Sequence, residues 1–380
     1  MKKVLLKIGS LNIPRNRWLD ALAVFDEIYI FSFQEEVELS DPHIHYIKFK
    51  NGSYRNRILL RLLNKTKLNM KFDVISSFLI FLLRICNLMQ LKRIEKMDVG
   101  YIHSSYNDFD DSNLLTLLIK TKKRITRAQK ETREYYNYLE MSCLKKSYRI
   151  IFNANQNVSF FKKKYKRIFE NKEILIGLDE DVRKASIVAS VIRLPKLSAK
   201  DNLVHAVILA GRVLSDKNEP RSGGRLYYIP LIKEYLDAGM VVHLHTGNII
   251  PINGNNPYCE LAQENHNFRI EQKLDFETDY ENAYKILSQY DVGILHAFIP
   301  DTSVFSFDQI NIPHRFYEYQ IAGVVPLLKK NTNFVLEDIF LTDKNGLLYE
   351  DVNEISFEKI KNKQFTNKTF EEYIKLLYPI

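Results

Sequence analysis

The sequence predicts an α/β protein of two parallel-sheet domains that face a cleft. Three observations carry this expectation. The chain has 380 residues, more than one ordinary core holds, so two domains are the default. Short apolar runs alternate with segments of helical spacing, and the alternation stops and restarts near the middle. Residues 1–200 hold 38 Lys+Arg against 21 Asp+Glu, a net of +17, and residues 201–380 hold 17 against 25, a net of −8. Halves of opposite sign support the division and place any attraction for anions on the first. A lysine-rich coding bias would leave the same excess.

The elements follow in order. "KKVLLKIG" is a β-type run closed by Gly9, "RNRWLDALAVF" has helical spacing, and "EIYIFSF" and "HIHYIKF" are β-type again. A long basic and apolar region runs from Arg55 to Lys96. "DVGYIHSS" and "RITRAQ" are buried-strand candidates separated by the helical "DSNLLTLLIKT", and "YRIIFNA" precedes the basic helix "QNVSFFKKKYKRIF". Residues 183–202 lack periodicity and contain Pro195, as a linker does. The alternation then restarts with "LVHAVILAG", "RLYYIPLIKEYLDAG", "MVVHLHTG", "YENAYKILSQY", "DVGILHA", "RFYEYQIAG", "VVPLL" and "GLLYE". Residues 1–190 form the expected first domain, 200–364 the second, and 365–380 a closing helix. In such sheets ligands bind beyond the carboxyl ends of the strands, so the residues just after the strands are the candidates.

Composition excludes several classes. An apolar fraction of 46% excludes a disordered chain. Cys86, Cys143 and Cys259 lie far apart and fit neither a metal nor a disulfide spacing, so they are read as reduced thiols. The start "MKKVLLKIGSLNIP" reads as a first buried strand rather than a signal peptide, because Lys7 interrupts its apolar run. The window Val74 to Leu91 contains Arg84, Asn87 and Gln90, which argues against a membrane span. There is no G-x-G-x-x-G, P-loop or G-x-S-x-G.

Four places carry candidate chemistry. In "LAGRVLSDK" a strand delivers Gly211 to a loop that holds Arg212 and Lys217. Glycine permits close backbone approach, Arg offers a planar fork for phosphate oxygens and Lys adds a compact charge. An ordinary basic loop is the other reading. In "PHRFYEYQIAG" Pro313 opens a helix, Arg315 and Glu318 stand three apart on one face, and Gly323 closes it. Glu318 could accept both hydroxyls of a ribose, or pair with Arg315 at the surface for a few tenths of a kcal/mol or so. Thr246, Gly247 and Asn248 form a glycine loop at a strand end, and His103 ends a strand of the basic half. Two patterns are set aside. "DFD" at 108–110 runs into helix-start acids, Asp110 and Asp111. His243 and His245 alternate on one strand face with no third ligand at a recognisable spacing, so packing is preferred to metal.

Taken together these segments resemble the retaining group of GT-B glycosyltransferases usually called family 4. "DVGYIHSS", a helix and "RITRAQKE" resemble the family's strand–histidine–helix–strand run ending in an acid. "YRIIFNANQNVSFFKKKY" with "KEILIGLDED" resembles its strand, helix and turn, and "LAGRVLSDKNE" its Gly-Arg…Lys phosphate loop. "DVGILHA" with "IPHRFYEYQIAGVVPLL" resembles "P-x-K-x-x-E-Y-x-x-x-G-x-P-V". The resemblance implies two Rossmann-like domains facing a cleft, with a C-terminal helix crossing back to the first. It implies a nucleotide diphosphate sugar as donor, held by the second domain without a metal or other cofactor. Arg212 and Lys217 would hold the diphosphate, Glu318 the ribose, with Gly211, Thr246, Gly247, Asn248, Arg315 and Tyr319 in the nucleotide site. His103 would lie near the transferred sugar and Gln129 to Glu131 at the cleft edge. There are departures. Ile310 stands where the family has a first acid, Arg315 replaces Lys, and "KNEPRSGGR" adds Arg221 and Arg225 to the phosphate loop.

The expected function is transfer of a sugar to a glycan or lipid-linked acceptor in bacterial surface polysaccharide or glycolipid synthesis. The expected location is cytoplasmic, peripheral on the inner face of the plasma membrane. The amphipathic region Arg55 to Lys96 is a candidate docking face for an anionic membrane, or a buried helix pair with a solvated basic rim. Two rival readings are a GT-B-fold sugar nucleotide epimerase and a polyanion-binding protein using the +17 half. No nucleic-acid-binding motif supports the second rival, and the acidic second half opposes it.

Overall fold

The computed structural model describes residues 3–8, 22, 24–33, 41–49, 53–97, 99–104, 110–120, 123–128, 135–152, 155–165, 168–176, 191–216, 226–250, 256–276, 278–295, 309, 312–361, 363, 376 and 378. The chain divides into two compact units. One is Met1–Glu180 with Phe370–Ile380, and the other is Asp181–Thr369.

The first unit is a seven-stranded parallel sheet. Its strands are β1 (Val4–Ile8), β2 (Glu27–Ser32), β3 (Ile44–Lys48), β4 (Val99–Ser104), β5 (Arg124–Ala128), β6 (Arg149–Phe152) and β7 (Glu173–Ile176), in the order β3-β2-β1-β4-β5-β6-β7. The chain fills one side of β1, then returns to build the other, so the order reverses between β1 and β4. Every residue of β1 and β6 is buried, as in a parallel sheet covered on both faces. The helices are α1 (Tyr54–Thr66), α2 (Asp73–Cys86), α3 (Leu88–Glu95), α4 (Asp110–Leu118), α5 (Tyr138–Lys146) and α6 (Asn155–Lys164). The core joins Leu6, Ile8 and Ile102 of the sheet to Leu79, Leu83, Leu114 and Leu118 of the helices. The end of the chain belongs to this unit. Arg149 donates to the Leu376 carbonyl at 2.7 Å, and the Tyr378 ring packs edge-on against Phe25 at 4.9 Å.

The second unit holds a six-stranded parallel sheet, β8 (His205–Ala210), β10 (Val241–Thr246), β12 (Phe268–Gln272), β13 (Val292–Ile294), β14 (Val325–Lys329) and β15 (Leu347–Tyr349), ordered β12-β10-β8-β13-β14-β15. A separate short pair joins β9 (Val213–Leu214) to β11 (Ile249–Ile250). Its helices are α7 (Ser198–Asp201), α8 (Ile229–Asp237), α9 (Pro257–Glu264), α10 (Tyr280–Leu287), α11 (His314–Ala322), α12 (Phe334–Asp343) and α13 (Phe357–Lys361). Here the order reverses between β8 and β13. Residues 191–202, read from sequence as part of a linker, are docked on this unit. Leu194 N–H donates to Ser288 Oγ at 2.9 Å and Lys196 Nζ to the Gly323 carbonyl at 3.0 Å. Burial pushes the Lys196 amine down to about 8. Its position at the end of α11 puts a cation where that helix's terminal carbonyls gather.

A polar chain with two buried histidines at its centre and a more exposed acid at each end crosses three neighbouring strands of this sheet. His205 Nε2 lies 3.0 Å from Asp201, His205 Nδ1 lies 2.9 Å from His243 Nε2, and His243 Nδ1 lies 3.1 Å from Glu271. Facing ring nitrogens share one proton, so at most one of the two rings can be an imidazolium. His245 sits beside them, 2.8 Å from the Tyr290 hydroxyl. These contacts account for the alternating histidines as packing groups.

Burial lowers His243 to about 4; the Glu271 hydrogen bond opposes this and the neighbouring His205 adds to it. A depressed histidine is neutral in the fold and takes up its proton on unfolding. Its contribution is therefore fully present above about pH 6.5 and is lost as the pH falls toward 4. Chemical denaturation should show roughly 3 kcal/mol less stability at the bottom of that window than at its top. His243→Gln should flatten the slope; an unchanged slope in that variant would assign the loss to another group.

Candidate functional site

The order reversal between β8 and β13 makes a crevice at the carboxyl ends of the strands, and most of the second-unit candidates gather there. β8 pairs with β13 only at Ala206 and Val207, opposite Val292 and Gly293. Beyond that the strands part, and the Tyr319 side chain of α11 fills the split. Its hydroxyl proton is shared between the Val207 and Ile294 carbonyls at 3.2 and 3.3 Å, and its oxygen accepts from Leu209 N–H at 3.2 Å. The ring lies flat on β13, and a Cβ at Gly293 would fall 2.4 Å from it. That close approach is why the strand carries glycine there.

Arg315, one turn earlier on α11, ties the same two strand ends. It donates to the Leu209 carbonyl at 3.0 Å, to the Tyr228 hydroxyl at 3.0 Å and to the Leu295 carbonyl. Glu318 is 2% exposed, and its Oε2 accepts from the Tyr284 hydroxyl at 2.5 Å. The surface ion-pair reading of Arg315 and Glu318 therefore does not describe this helix. Gly323 closes α11 at φ 72°, the left-handed conformation glycine supplies at no steric cost.

Two loops meet beside this crevice. Gly211 and Arg212 follow β8, and both are exposed. Thr246, Gly247 and Asn248 follow β10. Val213 N–H donates to the Asn248 carbonyl at 2.9 Å, which zips the loops together through β9 and β11. Thr246 Oγ1 donates to the Asn248 carbonyl at 3.2 Å, a turn held by its own side chain. A Cβ at Gly247 would stand 3.2 Å from the Gly211 carbonyl and 3.0 Å from the Lys273 side chain. Exposed Lys273 follows β12 and delivers a second cation to the loop pair. Nothing in the sequence marks it, because "FRIEQK" mixes charged and apolar residues and does not show a strand end. Tyr228 and Tyr284 are absent for another reason, since only the fold brings them to α11.

In the first unit, His103 stands on β4 at the order reversal, in register with Lys7 of β1 and Ile125 of β5. Asp110 opens α4, where the helix-start reading of the acids puts it. Lys217, Arg221, Arg225, Asp108, Gln129 to Glu131 and Ile310 lie outside the described residues.

Two Rossmann-like units, each a parallel sheet with one order reversal, define the GT-B fold. Known structures bear the assignment out. Over 99% of its length the chain matches sucrose-phosphate synthase from Thermosynechococcus elongatus at a TM-score of 0.53 and 13% identity, covering 95% of that chain. It matches the trehalose-6-phosphate phosphatase N-terminal domain of Candida albicans at 0.53 and 12%, covering 94% of that chain. It matches Anabaena HepE in complex with UDP at 0.51 and 10%, also covering 94%. At these identities the likeness is one of fold. No family model and no curated protein sequence matches the chain.

Proposed function

We propose that the protein is a retaining glycosyltransferase that moves a sugar from a nucleotide diphosphate donor to a glycan or lipid-linked acceptor in bacterial surface polysaccharide or glycolipid synthesis. The observation that carries the reading is the crevice of the second unit. A glycine loop with an exposed Arg212 follows β8 at the order reversal of a sheet in a GT-B fold, a second glycine loop pairs with it, and α11, which carries the buried Glu318, is tied by Arg315 to the same strand ends. UDP occupies the related fold of HepE.

In this reading the exposed backbone of Gly211 and Gly247 lets a diphosphate approach. Arg212, with Lys217, meets the charge that grows on the phosphate as the bond to the sugar breaks. No metal is assigned to that step. Glu318, held through Oε2 by Tyr284, is assigned to the ribose, and Thr246 to Asn248 to the nucleotide. Arg315 and Tyr319 keep the strand ends in place. His103, at the reversal of the first sheet, is assigned to the sugar side of the reaction.

A thermal-shift screen with uridine, guanosine and cytidine diphosphates tests this. A nucleotide at 100 times its Kd should add about 2.7 kcal/mol and raise the melting point by roughly 5 to 10 °C. Glu318→Gln should remove most of that shift. If none of the three nucleotides moves the melting point, the reading fails. With the binding nucleotide in hand, release of free diphosphate from its sugar conjugate separates transfer from epimerisation.

A further inference from the structure

The α2 helix is apolar on two opposite faces. Ser76, Leu79, Ile80 and Leu83 are buried against the first unit. At 100° per residue, Val74, Phe78, Phe81 and Ile85 centre half a turn away from that stripe. They are 80%, 56%, 55% and 49% exposed. Met70 before the helix and Met89 after it are 62% and 89% exposed. Soluble proteins rarely leave aromatic and aliphatic side chains contiguous on one helix face without an occupant for it.

The surrounding charge says what that occupant is. Between residues 53 and 97 eight Lys and Arg are exposed, among them Arg57, Arg61, Lys71 and Lys92, and no acid is. Asp73 accepts from the Tyr136 hydroxyl at 2.6 Å, and Glu95 is held by Arg84 at 2.8 Å. A second copy of the chain docked symmetrically would set this basic rim against itself. An anionic lipid surface instead offers hydrocarbon to the apolar stripe and headgroup charge to the rim.

The helix does not cross the bilayer. No single helix among the described residues is long and apolar enough, and the stretch that qualifies by composition is bent by 83° between Met70–Cys86 and Leu88–Glu95. The 14 residues of α2 span about 21 Å, short of the ~30 Å hydrocarbon core. With its inner face committed to the protein core, α2 can only lie in the membrane plane.

We propose that α2 is an in-plane anchor, inserting Val74, Phe78, Phe81 and Ile85 into the headgroup boundary of an anionic membrane. This is independent of the glycosyltransferase reading: a chain that binds vesicles but no nucleotide keeps one and loses the other.

Flotation of the full chain with vesicles of phosphatidylglycerol and phosphatidylcholine tests the anchor, with pure phosphatidylcholine vesicles alongside. The chain should float with the anionic vesicles at low salt. The double variant Phe78→Ser/Phe81→Ser should bind about tenfold more weakly or worse, with its melting point unchanged because both rings are exposed. Each of Arg57→Gln and Lys92→Gln should weaken low-salt binding by about fivefold or less. Phe81→Trp should shift its emission to the blue when anionic vesicles are added, which surface adsorption alone would not produce. Absence of flotation at low salt, or flotation indifferent to the phenylalanine pair, would overturn the proposal. So would a wild-type dimer that the pair converts to monomer without any vesicle binding, since the face would then belong to a second copy.

Discussion

Arg212→Ala should weaken nucleoside diphosphate binding by about 100-fold while leaving the melting point of the unliganded protein where it is. Both halves of this expectation come from the same geometry. Arg212 is exposed on the loop after β8, so its removal costs the fold little. Against a diphosphate its guanidinium can make paired charge-assisted bonds, each worth about 1.5–3 kcal/mol. Arg212→Lys should recover part of the affinity, since a point charge remains but the planar fork is gone. Titration calorimetry gives both numbers. A dissociation constant within about twofold of wild type would place the diphosphate elsewhere and would leave Lys273, another exposed cation among the described residues beside the loop pair, as the residue to replace next.

Arg315→Ala should have the opposite signature, a large loss of stability with any binding defect following from it. Its guanidinium serves the carbonyls of Leu209 and Leu295 and the hydroxyl of Tyr228. Truncation strands all three at the parting of β8 and β13, and the expected cost is about 3–5 kcal/mol, or roughly 10 °C. Amide exchange at Leu209 and Leu295 should accelerate before that of β10 or β14, because the damage is local to the split. Arg315→Lys reaches fewer of the partners and should fall between. A melting point within about 1 °C of wild type would show that these bonds do not hold the crevice.

Much of the fold was legible because parallel strands covered on both faces appear as unbroken apolar runs. "VLLKI", "RIIF" and "HAVILA" come close to this, each broken or opened by a single polar residue, and all three are internal strands. β12 is hard to see in the sequence because it is an edge strand: Phe268 is buried but Arg269 is exposed, and "FRIEQ" carries two charges. α12 starts on an Asn333 cap, which signals a helix, but its "FVLEDIF" opens on β-type residues and by itself reads equally as a strand. At the site, the sequence points to α11 and to the Gly-Arg loop as places, yet not to what the side chains do there. Whether Arg315 meets Glu318 or three groups from 20 to 106 positions away depends on where β8 and β13 part. Such a separation leaves no trace in local periodicity. The His205–His243 contact is legible by half: alternation flags the second residue, but its partner stands 38 positions earlier.

The phenol of Tyr319 has a mechanical consequence. Where β8 and β13 separate, their backbone groups would ordinarily need a further strand or water, and a helix side chain completes the ladder instead. Helix and sheet are thereby riveted here as well as through Arg315, with no side chain on Gly293 to act as a cushion. A displacement of α11 is therefore passed directly to the ends of β8 and β13, because helix and strands share the same hydrogen bonds.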